Sequence, residues 1–269
     1  MLGLTAALHG NELNGISVIQ RLFSEIEYVP VRGTVVGVPV VNAPAFFQKQ
    51  RRFIDNVDLN HVMPGVEEGN VSQAYSYRFF DQIVSKFDYL IDLHTASAGR
   101  INLYYIRANM NKPVTRELAL LQNAQIIVHN PPADGTLRGA ASAAGIPSIT
   151  LEVGNPNTFQ KGMIRSGLTG LINAMIHLDM VDDEIEKPDE PPIICKSSFW
   201  IYTDYGGLLS VKPGLTDMIR KDQLIASQTD IFGDKITDYF APQDGILIGK
   251  SVSPVNQTGG RILHLGILE

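Results

Sequence analysis

A single cysteine, Cys195, leaves no possibility of an intrachain disulfide. That removes the stapled secreted-domain class and fits a reducing compartment. Basic residues are the minority charge, with 22 Lys+Arg against 28 Asp+Glu and a formal net charge of −6. A general nucleic-acid binder or a protein held on an anionic membrane needs a concentrated basic surface, so neither class fits. Any anionic ligand would have to meet a local positive site. Long apolar runs are missing as well. The longest uncharged stretch, Gly33–Gln48, is shorter than the roughly 20 residues of a membrane span and is broken by Pro39, Asn42 and Pro44. No basic segment leads into an apolar one at the N-terminus, because Met1 runs straight into Leu2–Leu8, which reads as a buried strand. The cytoplasm is the expected location. Neither glycine signature that cradles phosphate is present, so nucleotide cofactors are not expected.

What is there is a chain of 269 residues, 44% hydrophobic. It can bury a full core, and it exceeds the usual single-domain size of about 100–150 residues. Over the first two thirds, strand-like runs alternate with helix-like segments. Leu2–Leu8 precedes Glu12–Glu25, where Ile16, Ile19, Leu22, Phe23 and Ile26 recur at helical spacing. Thr34–Val41, Tyr89–Leu93, Gln125–Val128 and Ser148–Val153 read as strands, and Gln73–Lys86, Val114–Asn123, Gly139–Ala144 and Gly162–Met180 as helices. This alternation predicts an α/β fold, a mostly parallel or mixed sheet flanked by helices. Residues 182–192 are then acidic and proline-rich, the composition of a solvated linker. Beyond them, short β-type runs such as Phe199–Tyr202, Gly207–Val211, Leu224–Ser227 and Gly245–Ile248 suggest a small all-β module. The expected division is a catalytic domain over residues 1–181, a linker over 182–192 and a small β domain over 193–269.

The strongest local signal is His9-Gly10-Asn11-Glu12, between the first strand and the first helix. An imidazole and a carboxylate three residues apart at such a turn can converge on one cation. Taken alone, the segment is read better as an exposed turn with Glu12 favoured by the helix dipole. The same placement recurs, however. His94 follows Tyr89–Leu93 directly, and Glu152 lies near the end of Ser148–Val153. Ligands of open α/β sheets bind beyond the carboxyl ends of strands. The inferred division of labour is His9, Glu12 and His94 as metal ligands, with an open position for water, and Glu152 as the base that takes the water's proton. Asp92 could orient His94 or serve a buried hydrogen bond equally well.

These residues carry a resemblance. His9-Gly10-Asn11-Glu12, Asp58-Leu59-Asn60 followed by Pro64-Gly65, Asp92-Leu93-His94-Thr95 and Leu151-Glu152-Val153-Gly154 together resemble the succinylglutamate desuccinylase/aspartoacylase family, relatives of the zinc carboxypeptidases. The segment from Tyr205-Gly206-Gly207 through Ala241–Gly245 is similar to the β domain that follows the catalytic domain in many members. The resemblance implies hydrolysis of an N-acyl amide with one zinc ion (Zn2+) per chain, held by His9, Glu12 and His94, and Glu152 as the base that later protonates the leaving amine. It implies a carbonyl-polarising arginine at Arg52, with Arg51 beside it, a substrate-positioning Asn60, and Arg138 as a pocket arginine suited to a substrate carboxylate. The expected partner is a small N-acylated molecule, with no nucleic acid and no membrane, and homo-oligomerisation is left open.

Two departures from the family pattern stand out. The position after Asn60 is His61 where an arginine is usual, and a histidine lacks the bidentate fork. Members also carry strands ahead of the segment matching Leu2–Leu8, whose loss would expose an edge there. Two rivals follow: a carboxypeptidase-like peptidase, and a zinc-binding protein of the family that has lost efficient catalysis. Elsewhere the structural readings prevail. His264 is expected to face outward from a β-strand, Cys195 to be a small buried side chain, and His129 and His177 to sit on a loop end and a helix surface.

Overall fold

A computed structural model describes residues 1–268. The first two thirds of the chain run β1 (Leu2–Ala6), α1 (Asn14–Ile26), β2 (Val35–Val38), α2 (Ala43–Phe47), α3 (Val71–Gln82), β3 (Tyr89–His94), β4 (Arg100–Asn102), β5 (Tyr104–Ala108), α4 (Pro113–Leu120), β6 (Ile126–His129), α5 (Leu137–Ala143), β7 (Ser148–Val153) and α6 (Lys161–His177). The remainder is all strand: β8 (Ile193–Tyr202), β9 (Gly207–Val211), β10 (Met218–Ile219), β11 (Leu224–Thr229), β12 (Lys235–Phe240), β13 (Gly245–Ser251), β14 (Val255–Asn256) and β15 (Arg261–Leu268). Among the described residues no helix is long and apolar enough to cross a membrane.

The predicted mixed sheet is present. Its order is β10-β13-β15-β8-β6-β5-β7-β3-β1-β2, with β4 paired to β13, and a separate antiparallel sheet runs β12-β11-β9-β14. β1 pairs in parallel with both β3 and β2, and β3 with β7. The edge expected at Leu2–Leu8 is therefore not there. β1 is buried between two strands, and the half-buried β2 forms the border.

Side-chain alternation along these strands decides where chemistry can sit. Leu4 and Ala6, Ile91 and Leu93, and Ile149, Leu151 and Val153 all belong to the core under α1, α4 and α6. The intervening residues Thr5, Asp92, His94, Thr150 and Glu152 must then point to the opposite face. Apolar packing on that side is partial, built by Leu90, Phe79 of α3 and Leu137, Ala140 and Ala141 of α5. Where it stops, polar side chains line a cavity.

The linker composition is real but does not end the sheet. Residues 182–192 contain no helix or strand, yet β8 directly after them pairs in parallel with β6, and β15 then pairs antiparallel with β8. β13 in turn holds β4, with Ser251 opposite Arg100 and Gly249 opposite Asn102. The reason is open hydrogen bonding at the β6 border, which β8 satisfies. The C-terminal strands thus extend the large sheet and brace the segment after His94.

Candidate metal centre

His9 and Glu12 enter from the turn between β1 and α1, where Glu12 N donates to the His9 carbonyl at 3.1 Å. Gly10 makes the turn possible, because a Cβ there would collide with the backbone of Ala45 and Phe46 within α2. His94 comes from the end of β3 and stands directly opposite Glu152 in the parallel ladder with β7. Gly154, at φ +76, then turns the chain out of β7 in a conformation an L side chain rarely adopts.

The three expected ligands converge. His9 Nδ1 lies 2.9 Å from Glu12 Oε1, His94 Nδ1 lies 2.9 Å from Glu12 Oε2, and the two Nδ1 atoms are 3.2 Å apart. All three residues are buried, and one ligand atom from each falls within 4.8 Å of the others. The outer nitrogens are anchored: His9 Nε2 to Asp58 Oδ1 at 3.0 Å and His94 Nε2 to Asp92 Oδ2 at 2.7 Å. Asp92 is itself held by the Thr5 hydroxyl at 2.7 Å. Carboxylates behind both imidazoles leave each Nδ1 aimed at the common centre, the arrangement that orients histidine ligands.

Electrostatics at this centre call for a cation. Burial alone would raise the Glu12 carboxyl and lower the His94 imidazole. Against burial, the His9 and His94 rings hold Glu12 well below the usual carboxylate range, and Asp92 and Glu12 raise His94 well above its ordinary value. Asp58 is likewise held low, by His9 and Arg51 against its own burial. Positive charge is thus stabilised at the ligand atoms. Arg51 adds to it, its Nη1 standing 3.1 Å from Glu12 Oε1 and 3.2 Å from His9 Nδ1. The two imidazoles and the carboxylate can hold a divalent metal ion.

Around the centre opens a cavity of about 330 Å³. Glu152, Asn60, His61 and Arg138 all line it. Glu152 is 8% exposed, 3.3 Å from Arg107 Nε and 3.4 Å from Asn102 Nδ2. Asn60 accepts from Leu137 N at 2.8 Å, tying its loop to the start of α5. Arg138 is buried and donates to the Asn130 carbonyl at 2.7 Å; burial, with Arg107 nearby, pushes it down to about 10.

Arg52 is not among the lining residues. It is exposed and donates to the Asn56 carbonyl at 2.9 Å, while Arg51 reaches into the pocket. The cause is local. Phe53 is buried against Tyr75, and Asp58 grips Arg51 at Nε and Nη2, 3.0 and 2.9 Å, so the side chain between them is turned outward. Arg51 also donates to Ser97 Oγ at 2.8 Å.

His264 differs from expectation too. It is 3% exposed, stacked on Trp200 with ring centres 5.0 Å apart and planes 7° apart, and its Nε2 is 2.8 Å from Ser198 Oγ. Leu263 and Leu265 fill the core of the C-terminal strands, so the other face of β15 turns toward the pocket rather than to solvent. Cys195 is fully buried, its thiol pushed up to about 11 by burial. His177 stays half exposed near Glu117.

The pocket residues that escaped the sequence reading include Arg100, Arg107, Trp200 and Arg261. Arg107 had a usable signal, a lone cation in the apolar run Tyr104–Ala108. The others reach the pocket only through pairing between distant strands.

A family model described as the succinylglutamate desuccinylase/aspartoacylase catalytic domain matches residues 1–178. N-alpha-acetyl-L-2,4-diaminobutyric acid deacetylase of Halomonas elongata is 25% identical over 260 residues, covering 92% of this chain and 76% of the relative. Among solved structures, the product-bound ectoine utilization protein of Ruegeria pomeroyi superposes with a TM-score of 0.90 at 21% identity, over 99% of this chain and 85% of that one. A succinylglutamate desuccinylase/aspartoacylase of Rhodobacter sphaeroides gives 0.90 at 20% identity, over 100% and 86%.

Proposed function

The chain belongs to the succinylglutamate desuccinylase/aspartoacylase family, and from that premise we propose that it is a zinc-dependent amidohydrolase that cleaves a small N-acyl amide, an N-acyl amino acid or a close relative. The observation that carries the proposal is the convergence of His9, Glu12 and His94 beside Glu152 in one pocket. One zinc ion per chain would be held by those three side chains, and it would supply Lewis-acid activation of water and of the scissile carbonyl.

The chain's own groups account for the rest. Glu152 takes a proton from the attacking water and returns it to the departing amine, the dual role open to a carboxylate in reach of both. Arg51 faces the position where the carbonyl oxygen gains charge, and its guanidinium stabilises that oxyanion. Asn60, His61 and Arg138 contact the bound substrate. Asp58 and Asp92 fix the two imidazoles, and Arg107 with Asn102 fixes Glu152.

A panel of N-acyl amino acids set against unblocked dipeptides of the same side chains tests the substrate class. Release of free amino acid is expected from the acylated compounds, with kcat/KM at least about tenfold higher than for the dipeptides. Preferential cleavage of the dipeptides would make the protein a peptidase instead.

A further inference from the structure

The cavity carries more positive charge than the centre uses. Of its arginines, Arg51 is engaged by Asp58, Glu12 and Ser97, Arg107 by Glu152 and the Tyr105 hydroxyl, and Arg138 by Asn130. Arg100 and Arg261 differ. Among the described residues neither guanidinium has a hydrogen-bond acceptor or a carboxylate partner, although both line the cavity. They lie over the ring of Trp200, 5.5 Å and 5.1 Å from its centre, and Trp200 is backed by His264. The same two arginines border a second, more open cavity lined by Ser251, Ser253, Asn256 and Gln257.

We infer that Arg100 and Arg261, seated on Trp200, form a clamp for a carboxylate that the substrate carries away from the scissile amide. This deepens the deacylase reading and rests on it for the identity of the substrate. Arg100 is half-buried and Arg261 is exposed, so the pair stays open to an incoming anion while its two like charges repel one another. A carboxylate between them receives charge-assisted, directional hydrogen bonds that no neutral group can match. Burial first, then Arg261 and Arg51, brings the Arg100 guanidinium down to about 10, as expected of a cation crowded by like charge. The pairing of Trp200 with His264 across β8 and β15 holds the platform rigid, and burial keeps His264 uncharged beneath it. The carboxylate can belong to the amine half of the substrate or to a dicarboxylic acyl group, and the clamp chemistry is the same.

Trp200 is the chain's only tryptophan, so its fluorescence reports the clamp directly. Glu152→Gln protein, in which turnover is blocked, is titrated with N-acetylglycine, N-succinylglycinamide and the neutral N-acetylglycinamide. A saturable change is expected with at least one of the two anions and not with the neutral amide, and the anion that acts shows which half carries the charge. Adding Arg261→Gln or Arg100→Gln should weaken that binding about tenfold or more, with partial recovery for Arg261→Lys. Equal response to the neutral amide, no response to either anion, or unweakened binding in Arg261→Gln would overturn the clamp. Hydrolysis of the same compounds by the unmodified enzyme separates the two ideas. Anion binding without hydrolysis keeps the clamp and removes the deacylase reading, whereas hydrolysis without charge discrimination does the reverse.

Discussion

Glu152→Gln is expected to lower kcat for N-acyl amide hydrolysis by about 10²–10⁴-fold, the range general acid–base groups supply, and to leave the metal content unchanged. The substitution keeps the size of the side chain, and its one remaining oxygen can still accept from Arg107 or Asn102. What disappears is the ability to accept a proton. Metal content should not respond, because the converging donor set is His9, Glu12 and His94, and Glu152 is not among the atoms that meet there. Its register opposite His94 places it beside the centre, one strand away. Stopped or initial-rate assays together with metal analysis of the same preparation check both halves. Full activity in the variant would remove Glu152 from the chemistry.

The second large effect separates two neighbours. Arg51→Gln is expected to cost about 10²–10³-fold in kcat, the loss that accompanies removal of one oxyanion donor. Arg52→Gln should stay within a few-fold of the parent. The argument is geometric: Arg51 is held by Asp58 and stands at the ligand atoms, whereas Arg52 is exposed and bonded to the backbone of its own loop. Arg51 also neutralises charge near Glu12, so a variant that retained a cation, Arg51→Lys, should recover part of the loss without the fork-like grip on Asp58. If Arg52→Gln abolished turnover and Arg51→Gln did not, the orientation of this loop would be wrong.

The contrast between these two arginines shows what a sequence discloses here. His9, Glu12, His94 and Glu152 were legible because each sits where an apolar strand gives out, a pattern fixed by local periodicity. The choice between Arg51 and Arg52 was not, since it depends on Phe53 finding Tyr75 and on Asp58 reaching back across the loop. His264 was misplaced for a related reason. Alternation along β15 correctly separates it from Leu263 and Leu265, but only the tertiary fold shows that both faces of that strand are covered. The acidic, proline-rich residues 182–192 were visible as a change in composition. The sheet that continues past them depends on β6 offering an open border to β8, which no single segment reveals. Arg100, Trp200 and Arg261 meet through β4 with β13 and β8 with β15, pairings between residues far apart in the chain. Positions set by the ends of strands were readable, and positions brought together across the sheet were not.

Metal content per chain, measured by inductively coupled plasma mass spectrometry on the parent protein and on a folded His94→Ala variant, bears most directly on the central claim. One zinc ion per chain in the parent, lost in the variant, is the predicted result. A parent protein that takes up no metal after zinc is supplied, or a variant that retains it fully, would contradict the account.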